Sequence, residues 1–369
     1  MNVGRAVAVS AVLCAAAAPA WSQSAPVRVN LGGRMHYQWN STSVSPDDAR
    51  TDAPIAASTF ETRRVRLSVD VQVSDWIRGL VEPEFSMGRL ALRHVWMSFE
   101  LDSAFVVRAG QFKKPFGLML LTSSTRHPMI ERGVRIRGLD DALRNATDAP
   151  MGEVRGALLV GEQFALLENQ GYNAYEMGVS LEGRRGPLSW AAGVFNGSGT
   201  DQRDENSGKS TAARVAWATT AGPPLTLGAA WSRRELNWPL PTSLDRRAGN
   251  AFAVDAELGG FRRGLWVLAE AVTGDNLASE ERFAAAQAVV ALFLPTGGRR
   301  VEGWEPVARV SWGDPDDAVD GDAGLLLTPG VNIYFAGRNR FMLNWDVFVP
   351  QGDGVGTQHA ARAQVNLSF

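Results

Sequence analysis

The sequence predicts an all-β fold: a 16-stranded antiparallel transmembrane β-barrel with a long constriction loop folded inward. Three observations carry this expectation. Segments of the chain alternate strictly between apolar and polar residues. Sixteen such segments can be laid along it, and the connections between them are alternately short and long.

The first segment lies outside the fold. In a chain of 369 residues, Arg5 precedes the apolar run Ala6 to Ala18, and small residues follow at Ala18-Pro19-Ala20 and Ala20-Trp21-Ser22. That order is a secretory signal peptide, so residues 1–22 are expected to be removed, with cleavage after Ser22 favoured over Ala20. Residues 23–369 then form a single barrel domain destined for the bacterial outer membrane. The one cysteine, Cys14, leaves with the signal, which excludes disulfides and thiolate metal sites. The rest holds no apolar run near the ~18 residues of a spanning helix. A barrel escapes that test because its hydrophobicity alternates.

The first strand, expected over 27–40, sets Val27, Val29, Leu31, Gly33, Met35, Tyr37 and Trp39 against Arg28, Asn30, Gly32, Arg34, His36, Gln38 and Asn40. Successive strand side chains point to opposite faces, so one face is apolar and the other polar. The second, over 62–74, sets Val65, Leu67, Val69, Val71 and Val73 against Arg64, Arg66, Ser68, Asp70 and Gln72. Further strands follow at 76–86, 90–101, 104–112, 173–183, 187–197, 209–220, 224–236 and 249–259. The series ends with 263–274, 283–294, 302–312, 323–335, 339–349 and 359–369. Most run roughly 10–13 residues, which fits the ~9–11 of a tilted membrane strand better than the ~5–6 of a soluble one. Aromatics at segment ends, among them Tyr37, Trp39, Trp76, Trp231, Trp238, Trp312 and Phe369, suit interfacial girdles.

An even strand number and short turns alternating with long outer loops are the barrel pattern. Short connections fall at 75, 102–103, 184–186, 221–223, 260–262 and 336–338. Long ones fall at 41–61, 113–172, 198–208, 237–248, 275–282, 313–322 and 350–358. Two depart from the rule: 87–89 is short on the loop side, and 295–301 is long on the turn side. Residues 113–172 show no alternation, and a segment of that length is expected to fold into the lumen as a functional element.

Charge then locates a site. The formal net charge is −2, which argues against nucleic-acid binding. On the polar parity, nine wall arginines (Arg28, Arg34, Arg64, Arg66, Arg78, Arg108, Arg214, Arg309, Arg362) meet eleven carboxylates from Asp70 to Asp346. Glu305 and Arg309 on one strand face are expected to neutralise each other. Residues 113–137 differ: Lys113, Lys114, Arg126, Arg132, Arg135 and Arg137 oppose Glu131 alone, a net +5. Selectivity is set where a pore is narrowest, so this loop, facing Arg64 and Arg66, points to an anion-attracting eyelet.

Other chemistry is poorly represented. His36, His94, His127 and His359 lack metal-ligand spacing. His36 and His94 fall on the lumen parity, away from any lipid-facing hydrolase dyad. The run Asp314, Asp316, Asp317, Asp320, Asp322 departs from the calcium-loop pattern at Ala318 and lacks its terminal Glu. No cofactor and no enzyme activity are expected. The competing readings are a barrel enzyme acting on lipid or peptide, and a structural or adhesive barrel plugged by 113–172.

Several motifs carry a family resemblance. Gly110-Gln111-Phe112-Lys113-Lys114-Pro115-Phe116-Gly117-Leu118, followed by Thr122-Ser123-Ser124 and Glu131-Arg132, resembles the constriction-loop entry of the phosphate-selective porin O and P family. Glu61-Thr62-Arg63-Arg64-Val65-Arg66, Ala192-Gly193-Val194-Phe195-Asn196-Gly197, Trp304-Glu305-Pro306-Val307-Ala308-Arg309 and Gly330-Val331-Asn332-Ile333-Tyr334-Phe335 are further matches. The resemblance implies a trimeric outer-membrane porin in contact with lipid and lipopolysaccharide, whose terminal Phe369 is read by the barrel-assembly machinery. It implies an anion site on Arg63 and Arg64 of the second strand and Lys113, Lys114 and Arg132 of the loop, to which the charge reading adds Arg66 and Arg135. The chain departs from the phosphate-specific members in having three lysines in all, and no period-2 ladder of arginines. General permeation of small anions or hydrophilic solutes is therefore the expectation, ahead of phosphate specificity.

Overall fold

The computed structural model describes residues 26–44, 56–86, 88–133, 163–200, 208–239, 244–277, 279, 281–351 and 357–369. The signal segment 1–22, and Arg135 and Arg137 of the loop, lie outside the described residues. The strands are β1 (Arg28–Val44), β2 (Ala56–Gln72), β3 (Ile77–Ser86), β4 (Arg89–Asp102), β5 (Phe105–Lys113), β6 (Tyr175–Arg185), β7 (Leu188–Phe195) and β8 (Ser210–Ala218). They continue as β9 (Leu225–Pro239), β10 (Leu244–Gly259), β11 (Leu265–Asp275), β12 (Arg282–Leu292), β13 (Leu294–Pro295), β14 (Gly303–Asp314), β15 (Gly324–Ala336), β16 (Asn339–Pro350) and β17 (Gln358–Ser368). β12 and β13 both pair with β14 and form one barrel strand interrupted at Phe293. Sixteen strands therefore pair antiparallel with their sequence neighbours, and β1 closes the circle on β17.

All sixteen expected strands are present, and the two irregular connections stand as read: β3 meets β4 across 87–88, while 296–302 joins β13 to β14. The largest boundary differences lie at the outer rim, where β2 begins at Ala56 and β10 at Leu244. The first members of the acidic run shape the turn after β14: Asp314 accepts the Asp316 N–H and Asp316 accepts the Ala318 N–H.

The outer surface is the apolar parity. Leu31, Met35 and Tyr37 on β1 and Val365 and Leu367 on β17 are exposed, and Tyr37 stacks on Phe60 with ring centroids 6.0 Å apart. The lumen departs from the simple rule of polar inside. From β9 to β14 its face carries Ala230, Ala251, Ala253, Trp266, Leu268, Val272, Phe283 and Val289, all buried. The loop after β5 covers them. It contains α1 (Leu118–Leu121) and α2 (Gln163–Gln170). Phe116, Leu166, Leu167 and Tyr172 pack on Val272 and Phe283, and Leu118, Met119, Met129 and Phe164 pack on Trp266 and Leu268. Each such burial contributes about 1.5–3 kcal/mol, so the loop is seated hydrophobically on one side of the lumen. Lumen-facing Glu270 accepts the Leu118 N–H and the Gln163 side-chain amide, which fixes both helices of the loop to β11.

Closure depends on Gly33. Phe369 exchanges two backbone hydrogen bonds of 3.1 Å with it. A Cβ on Gly33 would stand 2.5 Å from the Phe369 ring and 2.9 Å from the Arg66 carbonyl. Gly33→Leu is expected to destabilise the barrel by about 1–3 kcal/mol through overpacking. The check is the temperature at which the compact, fast-migrating barrel converts to the unfolded form on gels, and an unchanged temperature would count against a closed β1–β17 seam.

Candidate functional site

Two β-bulges build the lumen wall opposite the loop. Between β1 and β2 the register runs His36↔Arg64 and then Tyr37↔Thr62, leaving Arg63 as the extra residue. Between β3 and β4 it runs Glu82↔His94 and then Pro83↔Leu92, leaving Arg93 extra. Pro83 offers no N–H to a ladder, and a bulge is where a strand tolerates it. An inserted residue breaks the two-residue alternation. Arg63 and Arg64 are therefore both buried toward the lumen, at 7% and 6% exposure.

The arginines are joined by shared carboxylates. Glu82 accepts Arg34 (2.5 Å) and Arg66 (3.0 Å). Glu84 accepts Arg66 (2.5 Å) and Arg93 (2.6 Å). Glu131 of the loop receives Arg63 on both oxygens and Arg64 at 3.4 Å. Asp346 takes Arg309 and Arg362, each at 2.7 Å. Among the described residues, seven guanidiniums share these four carboxylates. The expected Glu305–Arg309 neutralisation is replaced by this arrangement. Arg309 turns to Asp346, while Glu305 accepts the Asn332 amide (2.7 Å) and the Tyr334 hydroxyl (2.8 Å).

A cavity of about 280 Å³ lies between this wall and the loop. Arg63, Arg64, Arg66, Arg93, Arg132 and Arg234 line it, against Glu84, Glu131, Glu168 and Glu176. Four of the seven residues expected from the sequence therefore meet there: Arg63, Arg64, Arg66 and Arg132. Among the described residues, Arg132 donates only to backbone carbonyls, those of Met119 and Thr122, each at 2.6 Å. Burial lowers it to about 10, still far above neutral pH, so this guanidinium, with no carboxylate partner in hydrogen-bonding distance among the described residues, remains charged.

The structure places the other three differently. The Lys113 ammonium donates to the carbonyls of Leu120 (2.5 Å) and Leu121 (3.3 Å), closing the C-terminus of α1. Lys114 is fully buried at the other foot of the loop, bonded to Gly171 O (3.0 Å) and Ser210 Oγ (3.3 Å), with Glu176 at 3.5 Å. Burial pushes its ammonium down to about 8. Arg135 lies outside the described residues. Arg93, Arg234 and Tyr175 complete the cavity but were not singled out from the sequence. Arg93 left a readable trace: it occupies the apolar parity of Ala91, Val95, Met97 and Phe99, as Arg63 occupies that of Val65 and Leu67.

The loop is also held along its length. Arg309 donates to the Glu131 carbonyl (2.9 Å), Asn344 accepts the Ile130 N–H (2.8 Å), Asn332 donates to Pro128 O (2.9 Å), and Arg340 donates to His127 O (2.6 Å).

Comparison with known proteins gives the family and the shared barrel fold. The family model described as phosphate-selective porin O and P matches residues 29–259, more than half of the chain. Among solved structures, an anion-selective porin from Comamonas acidovorans superposes with a TM-score of 0.58 at 14% identity, covering 93% of this chain and 100% of that one. OmpF of Salmonella typhi, in complex with daunomycin, gives 0.58 at 11% identity over 92% and 97%. The outer membrane channel DcaP of Acinetobacter baumannii gives 0.57 at 14% over 92% and 97%. At these identities the structures establish the shared barrel. Among curated proteins there is no significant match.

Arg63→Ala removes the two-oxygen grip on the buried Glu131 carboxylate. Removing one partner of a buried ion pair costs about 3–5 kcal/mol. Hydrogen exchange at Ile130, Glu131 and Arg132 is expected to accelerate while exchange in β11 stays slow; uniform protection would show that the hydrophobic seat alone holds the loop.

Proposed function

The chain belongs to the phosphate-selective porin O and P family and is an outer-membrane porin, and we propose that it conducts small hydrophilic solutes passively with a preference for anions. The observation that carries this preference is the arginine excess at the constriction, where six guanidiniums and four carboxylates line one cavity. Ions lose part of their hydration there and feel fixed charge through less water than elsewhere in the lumen. The bridging carboxylates lower the net field, so an anion is concentrated without being trapped. The anion-selective porin with the same barrel is consistent with this reading. Arg63, Arg64, Arg66, Arg93 and Arg132 are the selectivity residues in this proposal. Lys113 and Lys114 act through the loop they hold, and Arg135 is assigned to the same loop by sequence alone.

The resemblance also supports a homotrimer, surrounded by lipopolysaccharide, whose precursor loses residues 1–22 and whose exposed terminal Phe369 is recognised during assembly. Phosphate and polyphosphate belong among the candidate solutes. With three lysines in the chain, a general anion preference is the better-supported form of the proposal.

Planar-bilayer recordings decide between this reading and an enzyme or a plugged barrel: defined conductance steps are expected, with reversal potentials in a salt gradient that favour anions. A cation preference would overturn the proposal. The combined substitution of Arg64, Arg93 and Arg132 by alanine is expected to lower the anion-to-cation permeability ratio several-fold. Glu131→Gln keeps one accepting oxygen toward Arg63 while removing a negative charge, so the same ratio is expected to rise. No change in either variant would make these side chains bystanders.

A further inference from the structure

His36 belongs to none of the interactions described so far, yet it sits where the positive field is densest. It is 1% exposed. In the barrel register it stands opposite Arg64 on β2 and opposite Asn366 on β17, and Asn366 stands opposite Arg340 on β16. Arg34 precedes it by two residues on the same face of β1. The constriction loop roofs this patch. Arg34 reaches Ser123 Oγ (3.4 Å), Arg340 reaches His127 O (2.6 Å) and Arg64 reaches Glu131.

The side chains here leave donors unused. Arg34 Nε, Arg64 Nη1 and Arg340 Nε are buried and have no hydrogen-bond partner among the described residues, and the same holds for both ring nitrogens of His36. Each buried unmade bond leaves a desolvated donor uncompensated. Three guanidinium N–H groups and an imidazole offer what an oxyanion accepts. The nearby carboxylates are already committed: Glu82 to Arg34 and Arg66, Glu131 to Arg63 and Arg64. Burial, with Arg132 beside it, holds His127 of the roof well below the ordinary histidine range, so it contributes no charge.

We infer that His36, with Arg34, Arg64 and Arg340, forms a second oxyanion site beneath the constriction loop, and that a proton enters on His36 together with the anion. A neutral imidazole has one N–H donor and one acceptor, whereas the protonated ring has two donors. The protonated ring donates to a bound anion from both nitrogens, so occupancy and protonation are linked. The charged groups around His36 are Arg34 from β1, Arg64 and Arg66 from β2 and Arg340 from β16, with Asn366 of β17 opposite it, and the loop sets Glu131 on Arg64 and neutral His127 on Arg340. This site deepens the anion-channel reading and rests on it.

Inorganic sulfate is the suitable probe, because its charge stays constant where histidine titrates, about pH 5–8. Calorimetry of sulfate binding to the full-length barrel, in two buffers of different ionisation enthalpy, counts protons taken up. The expected result is uptake approaching about one proton per sulfate, with affinity falling up to ~10-fold per unit rise in pH. His36→Gln is expected to abolish both the uptake and the pH dependence. His36→Asn replaces it if the glutamine variant does not fold. Sulfate binding without proton uptake, no sulfate binding, or undiminished uptake in the folded variant overturns the inference. Anion-favouring reversal potentials alongside any of these leave the eyelet reading standing, whereas cation-favouring potentials overturn the eyelet itself.

Discussion

The constriction hangs on one carboxylate. Glu131 is 3% exposed, is gripped on both oxygens by Arg63, touches Arg64, and carries Arg309 on its backbone carbonyl. Hydrophobic burial seats the loop against β9 to β14, but burial is non-directional and does not say how far the free edge projects across the lumen. The ion pair does. It pins the segment from His127 to Arg132 toward β2, and so sets which arginines face one another. Putting a charge there costs several kcal/mol in lost hydration, and the three surrounding guanidiniums offset that cost.

That clamp depends on a break in the regular fold. In an unbroken strand Arg63 would point into lipid, where an arginine at mid-membrane costs about 2–4 kcal/mol. The bulge turns it inward beside Arg64, and the equivalent irregularity at Arg93 supplies the far end of the chain Arg34–Glu82–Arg66–Glu84–Arg93. Each bulge adds one guanidinium to the lumen without lengthening the barrel. The wall and the loop are matched through these two positions.

This explains what could be read in advance. The strands were legible because sixteen segments repeat one physical rule, apolar toward lipid and polar toward water, and the repeat survives local noise. Arg64, Arg66 and Arg132 were legible as a site because charge parity and loop charge both singled them out. The bulges were not, since a single inserted residue perturbs alternation only locally; their trace is an arginine on the apolar parity. The apolar lumen face was hidden for the opposite reason. Trp266, Leu268 and Val272 extend the hydrophobic pattern to both faces of β11, so period alone does not distinguish lipid from loop as the covering surface. Lys114 counted as loop charge from sequence, but burial beside Glu176 converts it to an anchor.

The scarcity of lysine follows from the same geometry. A guanidinium is a planar fork with several N–H groups, so it can hold a carboxylate along one edge and keep another N–H free. Arg64 does so, with Nη2 on Glu131 and Nη1 without a partner among the described residues. An ammonium is a compact point charge that loses its proton more readily when buried, as the lowering of Lys114 to about 8 illustrates. A constriction whose cations must be buried, shared with structural carboxylates and still charged is therefore better built from arginine. The lysine-poor composition is then a requirement of a narrow, tightly braced pore, and carries less information about which anion passes than the count alone suggests.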